Sequence, residues 1–266
     1  MSLIESTDVT LLPDERIDEV NENLRLILKK NGLTFGTDAY LLAAFIRPQP
    51  SCTAVELGGG TGIISLLLAA KNKLGSVTAV EIQPAFAELI DRNAALNQLS
   101  HKVKALSADL RDLRAADLGK EVDLVFSNPP YMKCNAGKRN EADEKYIARH
   151  EVCGGIADFC AAASRLLRHG GRFVCVWRPD RLTALLNAMH QYKLEPKRMT
   201  FVHADAASEP CVVLVESVKG GAESLYVSPP LFLYTPKKEG ECSRTLTPAA
   251  EEIYQTCHFS GLFSRS

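Results

Sequence analysis

Long apolar runs are missing from this chain of 266 residues. The longest, Leu41–Ile46 and Gly62–Ala70, fall well short of the roughly 20 residues that a membrane-spanning helix needs. The opening MSLIESTDVT lacks the basic and then apolar pattern of a secretory signal, so a soluble, cytoplasmic protein with no membrane partner is expected. Paired cysteines are missing as well. Cys52, Cys134, Cys153, Cys160, Cys175, Cys211, Cys242 and Cys257 are scattered with no C-x-x-C pair, which argues against a zinc site or a disulfide framework. Several lie in apolar runs such as FVCVW and read as small, reduced core residues. Net charge is also lacking, at −1, so bulk attraction to nucleic acid is excluded as a main force. The charge is unevenly placed, however. Residues 1–22 carry seven acids and one Arg, whereas residues 131–200 carry thirteen Lys and Arg against seven Asp and Glu.

What is present is a hydrophobic content of 46%, enough for one large core. From Thr53 onward, short β-branched runs alternate with helical stretches. TAVEL, SVTAVEI, KVKALS, VDLVFS, RFVCVW, RMTFVH and CVVLVES read as strands; Gly62–Lys71, Pro84–Asn97, Ala157–Leu167 and Pro179–His190 read as helices. Pro84 and Pro179 suit first helical turns, and Gly170–Gly171 suits a helix stop. Such alternation implies an α/β, doubly wound parallel sheet. HADAASEP is too short for a crossover helix, so the last two strands should form an antiparallel hairpin. Seven strands, mostly parallel with one reversed, depart from the dinucleotide-dehydrogenase plan and resemble the class I (Rossmann-like) methyltransferase fold. The core is expected over residues 51–218, with an N-terminal extension over 1–50 that helps enclose a cofactor. Residues 219–266 form a C-terminal extension of the same domain, in which TLTPAAEEIYQTCHF reads as a short capped helix.

In an open parallel sheet, ligands lie at the carboxyl ends of the strands. AVELGGGTG, Ala54–Gly62, occupies that place. Glycines let a ligand press on bare backbone, but G-x-G-x-x-G counted from Gly58 puts Ile63 where a nicotinamide-type loop needs its third glycine. An acid just before the glycines, Glu56, would repel a dinucleotide's phosphates yet suit S-adenosylmethionine, which carries an ammonium and no phosphate. Glu81, at the end of the second strand, suits two ribose hydroxyls, because two carboxylate oxygens accept two O–H bonds. Asp109, after the third strand, is placed to meet the adenine amine.

SNPPY, Ser127–Tyr131, follows the fourth strand, next to the first. Asn-Pro ordinarily initiates a turn. At this strand end it also suits chemistry on a planar exocyclic amine, whose lone pair is delocalised and poorly nucleophilic. The Asn128 side-chain oxygen and the Pro129 carbonyl would accept its two N–H bonds, and the prolines stiffen the frame. Two fixed oxygen dipoles would stabilise the positive charge that develops on nitrogen as the methyl transfers. Tyr131 offers a face on which the acceptor ring can stack.

These residues are similar to those of amino-methyltransferases with an N-P-P-Y motif, which act on adenine, cytosine or a glutamine amide. RIDEVNENLRLILKKNGLTFGTDAYLLAAFI, Arg16–Ile46, resembles the N-terminal region of bacterial tRNA(Val) adenine-N6 methyltransferases, and ARHE and PPLFLYTP resemble further landmarks of that group. The resemblance covers nearly the whole chain. It implies an S-adenosylmethionine-dependent enzyme that methylates the adenine beside a tRNA anticodon, with Asn128, Pro129, Pro130 and Tyr131 carrying the chemistry. It further implies Thr37, Asp38, Glu56, Leu57, Gly58, Gly60, Glu81, Ile82, Asp109, Leu110 and Asn128 around the donor. Asp38 before an apolar helix equally reads as an N-cap. Many relatives have a small residue where this chain has the third glycine of GGG. In the long stretch after Tyr131, Lys133, Lys138, Arg139, Lys145 and Arg149 suit either RNA phosphates or a solvated loop. Methylation of a glutamine amide or a ribosomal RNA base, and a non-catalytic RNA-binding role, are the rival readings. A monomer is compatible with the sequence.

Overall fold

The structure, a computed structural model, describes residues 10–30, 36–130, 154–236 and 244–259. A hairpin, β1 (Glu15–Asn21) and β2 (Leu24–Lys29), leads through α1 (Thr37–Phe45) into the main sheet. Then follow β3 (Gln49–Leu57), α2 (Ile63–Ala70), β4 (Leu74–Glu81), α3 (Pro84–Leu96), β5 (Val103–Ser107) and β6 (Val122–Ser127). After these come α4 (Ile156–Leu166), β7 (Leu167–Trp177), α5 (Leu182–Gln191), β8 (Leu194–His203) and β9 (Pro210–Lys219). The chain closes with β10 (Tyr226–Val227), β11 (Leu231–Phe232) and α6 (Pro248–Thr256).

All seven expected strands form, in the spatial order β8-β9-β7-β6-β3-β4-β5. Every neighbouring pair from β7 to β5 is parallel, and β9 runs antiparallel to both β7 and β8. This is the class I methyltransferase fold that the sequence pattern implies. The sheet is larger than expected, because β10 and β11 both add to the outer edge of β8. Pro229 and Pro230 lie between them and cannot donate to a ladder, so the edge is made of two-residue pieces rather than one strand.

Strand residues alternate between two layers, as a period of two requires. Leu124, Phe126, Val174 and Val176 face a core shared with α1, α2, α3 and α6, while Val125, Phe173 and Cys175 face one shared with α4 and α5. Two helix boundaries differ from expectation. Pro179 opens a short 3-10 turn, Pro179–Arg181, before α5. The helix α4 stops at Leu166 because β7 already pairs from Leu167, so Gly170–Gly171 lie within β7 instead of ending a helix. The C-terminal helix is capped as its sequence suggests, the Thr247 side chain accepting from the Ala250 N–H at 3.2 Å.

The hairpin docks through an amide ladder. Asn97 accepts from the Arg25 N–H at 2.9 Å and donates to its carbonyl at 2.7 Å; Asn93 accepts from the Ile27 N–H at 2.6 Å and donates to its carbonyl at 3.2 Å. Four residues of helix rise about 6 Å and two of strand about 6.8 Å, so the spacings match. The helix thus pairs the edge of β2 as a strand would, and that edge is covered. At the far end of α1, the fully buried Lys73 donates to the carbonyls of Ala43, Ala44 and Cys257 at 2.7, 3.1 and 2.8 Å. Those carbonyls lack helical partners, and Lys73 ties α1 to the end of α6 through them. Burial pushes its pKa down to about 8.

Candidate active site

The carboxyl ends of β5, β4, β3 and β6 form one rim of the sheet. Register sets Leu57 beside Val80, Glu81 beside Ser107, and Glu56 beside Phe126. The loop Gly58–Gly62 rises from the middle of this rim. The Gly58 and Gly59 N–H groups both donate to the Val80 carbonyl, at 2.9 and 3.0 Å, folding the loop back over β4. Gly60 sits at φ +55°, and a Cβ built there meets nothing within 4 Å. This third glycine holds a positive φ that L side chains adopt only rarely, and its bare backbone faces open space.

Glu81, 6% exposed, holds that backbone in place. Its Oε2 accepts from the Gly60 N–H at 3.0 Å and its Oε1 from the Gln83 N–H at 3.0 Å. Each oxygen keeps a second lone pair, so two ribose hydroxyls can still be accepted. Glu56 is 1% exposed, deeper than its assigned contact with an ammonium suggested. Its Oε2 accepts from both the amide and the hydroxyl of Ser65 on α2. Burial pushes its pKa up to about 8, against the lowering effect of the Ser65 bonds and helped by the charge of Glu81. Asp109 is engaged by Arg111, whose Nε lies 2.9 Å from Oδ1, and the guanidinium lowers its pKa. An adenine amine would have to share this carboxylate with Arg111.

On the acceptor side, Ser127 is fully buried and its Oγ donates to the Leu57 carbonyl at 2.7 Å. Asn128 and Pro130 are half-buried and Pro129 is buried, directly beyond β6. Leu57 and Leu110 are buried and Ile82 is half-buried, so apolar surface lines the rim between the acids. Thr37 and Asp38 open α1. Gly36 is its N-cap residue, with no side-chain hydrogen bond, and Asp38 is the second helical residue, so the N-cap reading of Asp38 is corrected. The Thr37 Oγ1 lies 3.1 Å from the Tyr254 hydroxyl of α6, joining the N-terminal and C-terminal extensions. Tyr131, Lys133, Lys138, Arg139, Lys145 and Arg149 lie outside the described residues.

Sequence reasoning missed Ser65, Ser127, Asn93 and Tyr254 as supports. Ser65 had a signal, being the lone polar residue in IISLLLAA. Among the described residues, no group of three or more His, Cys, Asp or Glu could hold a metal, and no helix is long and apolar enough to cross a membrane.

Comparison with known proteins agrees with this geometry. The model of the methyltransferase small domain family matches residues 29–195. A protein of Porphyromonas gingivalis named tRNA1(Val) (adenine(37)-N6)-methyltransferase is 32% identical over 187 residues, covering 68% of this chain and 72% of the relative. One of the same name from Phocaeicola vulgatus is 30% identical over 184 residues, covering 68% of this chain and 74% of the relative. Among solved structures, a protein of Agrobacterium tumefaciens described as a predicted O-methyltransferase superposes with a TM-score of 0.65 at 22% identity, over 84% of this chain and 97% of that one. A tRNA m1G37 methyltransferase of M. jannaschii gives 0.50 at 17% identity, over 79% of this chain and 58% of that one.

Proposed function

The chain belongs to the methyltransferase small domain family, and from that premise we propose that it is an S-adenosylmethionine-dependent enzyme that methylates the exocyclic N6 amine of an adenine beside a tRNA anticodon. The observation that carries this reading is the hydrogen bond from Ser127 to Leu57, which holds the Asn-Pro-Pro strand end against the strand that leads into the glycine loop.

The residues present fit the donor. Gly60 offers backbone without a side chain, and Glu81 offers fixed acceptors for ribose. Bound there, S-adenosylmethionine supplies an electrophilic methyl group on a sulfonium. The chain itself holds the acceptor. The Asn128 Oδ1 and the Pro129 carbonyl accept the two N–H bonds of the amine and favour a pyramidal nitrogen with its lone pair free. Both oxygens then face the positive charge that grows on nitrogen. No strong base is needed, since an aryl ammonium loses its proton readily to water. Alignment of this kind can contribute on the order of 7–11 kcal/mol to lowering a barrier. A base in an anticodon loop is already unpaired, which lowers the cost of bringing it to the rim.

The test is transfer of labelled methyl to total tRNA, to ribosomal RNA and to total protein in parallel, followed by nucleoside mass spectrometry. Label in tRNA, recovered as N6-methyladenosine, is the expected result. Label only in protein or only in ribosomal RNA would replace the substrate, and no label with intact RNA binding would favour a non-catalytic role.

A further inference from the structure

A glycine-rich loop has little stiffness of its own and holds its shape through external anchors. Here the Gly58 and Gly59 amides are tied to Val80, and the Gly60 amide is tied to Glu81. One further anchor comes from α3. The fully buried Asn93 donates its Nδ2 to the Thr61 carbonyl at 3.0 Å, between Gly60 and Gly62. The same amide group grips both backbone groups of Ile27 in the N-terminal hairpin. One side chain therefore joins three segments: the loop, α3 and β2.

Asn97 supplies an internal contrast. It lies one helical turn further along α3 and holds Arg25 in the same two-bond manner, but its remaining bond goes to the Asn93 carbonyl, at 2.8 Å. Both asparagines dock the hairpin, and of the two only Asn93 reaches the loop.

We infer that Asn93 is a positioning residue for the methyl-donor loop, and that through it the docking of the N-terminal hairpin and the binding of the donor are coupled. This rests on the reading of Gly58–Gly62 as the donor site. A carbonyl held by a buried amide fixes the Thr61–Gly62 peptide plane, so the loop meets its ligand in one conformation and does not have to be ordered on binding. Coupling between two binding or docking events is reciprocal, so donor binding must in turn tighten the hairpin at Ile27.

The experiment compares Asn93→Ser with Asn97→Ser in the full chain, measuring the affinity for S-adenosylhomocysteine by calorimetry and the thermal midpoint of the unliganded protein. Both variants are expected to melt earlier, because both lose buried hydrogen bonds. Asn93→Ser should weaken S-adenosylhomocysteine by about fivefold or more, the scale of one lost hydrogen bond, and Asn97→Ser, which loosens the hairpin without touching the loop, should weaken it less. Unchanged affinity in Asn93→Ser, or equal weakening in both variants, would overturn the inference. Should Asn93→Ser not fold, amide hydrogen exchange on the unmodified chain decides. S-adenosylhomocysteine should raise protection at the Ile27 amide more than at Arg25, and no change at Ile27 would overturn the coupling. An unmodified chain that binds no S-adenosylhomocysteine would instead remove the donor-site reading on which the inference rests.

Discussion

The Ser127 hydroxyl donates to the Leu57 carbonyl at 2.7 Å, across two parallel strands whose carboxyl ends lead into the glycine loop and the Asn-Pro-Pro segment. Leu57 leads into the proposed donor loop and Ser127 into Asn128 and Pro129, the proposed acceptor frame, so one buried bond sets the distance between the two. Ser127→Ala should cost about 1–2 kcal/mol of stability, as a buried acceptor loses its partner. Turnover should fall on the order of tenfold or more, since small misplacements are costly in an aligned reaction. Affinity for S-adenosylhomocysteine should stay the same. Single-turnover methylation with calorimetry on the same preparation checks all three.

Asn128→Ala removes one of the two oxygens proposed to face the amine. Turnover should drop by roughly 10²–10³-fold, the scale seen when one preorganised polar group is deleted. Donor binding should be nearly unaffected. Turnover equal to that of the unmodified chain would end the assigned role of Asn128.

Glu56 makes pH informative. Its folded pKa, pushed up to about 8 by burial, lies above its ordinary 4.5. The folded state therefore binds the proton more tightly than the unfolded state does. The stability this gives is fully present below pH 4.5 and is lost as pH rises towards 8. Glu56→Gln should lack this slope and melt at a higher temperature than the unmodified chain at pH 9, with little difference near pH 4.5. The carboxylate is the form that attracts an ammonium, so donor affinity should also increase from pH 6 to about pH 7.5, below the point at which the donor's own α-ammonium loses its proton, in the unmodified chain and not in the variant, on the order of tenfold for each pH unit. Melting curves and calorimetry across that range provide the check.

Gly60→Ala places a methyl group in the open space over the loop and forces a non-glycine residue to φ +55°. The backbone cost is about 1–2 kcal/mol. Donor affinity should fall by more than that cost implies, because the new Cβ projects where the ligand presses on backbone. Gly59→Ala is the contrast, since its Cβ would come 2.9 Å from Ile90 Cδ1 and 3.2 Å from Ala79 Cβ. It should lower the thermal midpoint more than Gly60→Ala does, and paired melting and binding curves separate the two effects.

Much of this molecule is legible along the chain. The seven strands, the reversed β9 and the position of Gly58–Gly62 all follow from local periodicity and from loops too short to cross over. The residues that hold the site in shape were not legible, because each acts on a partner far away in sequence. Asn93 lies 66 residues from Ile27, Ser127 lies 70 from Leu57, and Tyr254 lies 217 from Thr37. Pro229–Pro230 show the opposite limit: their effect is local, but whether the broken edge pairs with β8 depends on the sheet already being there.

Side-chain types, read along the chain, carry the chemistry proposed for it: a planar-amine frame in Asn128 and Pro129, and acids in place of phosphate-binding groups. Tertiary structure decided how those groups are used. It buried Glu56 beside Ser65 so that its proton is held to about pH 8, and it engaged Asp109 with Arg111. It also joined the donor loop to the N-terminal hairpin through Asn93. The reason is physical. A side chain's type is carried in the sequence, whereas its solvation and its partners exist only once distant segments have packed.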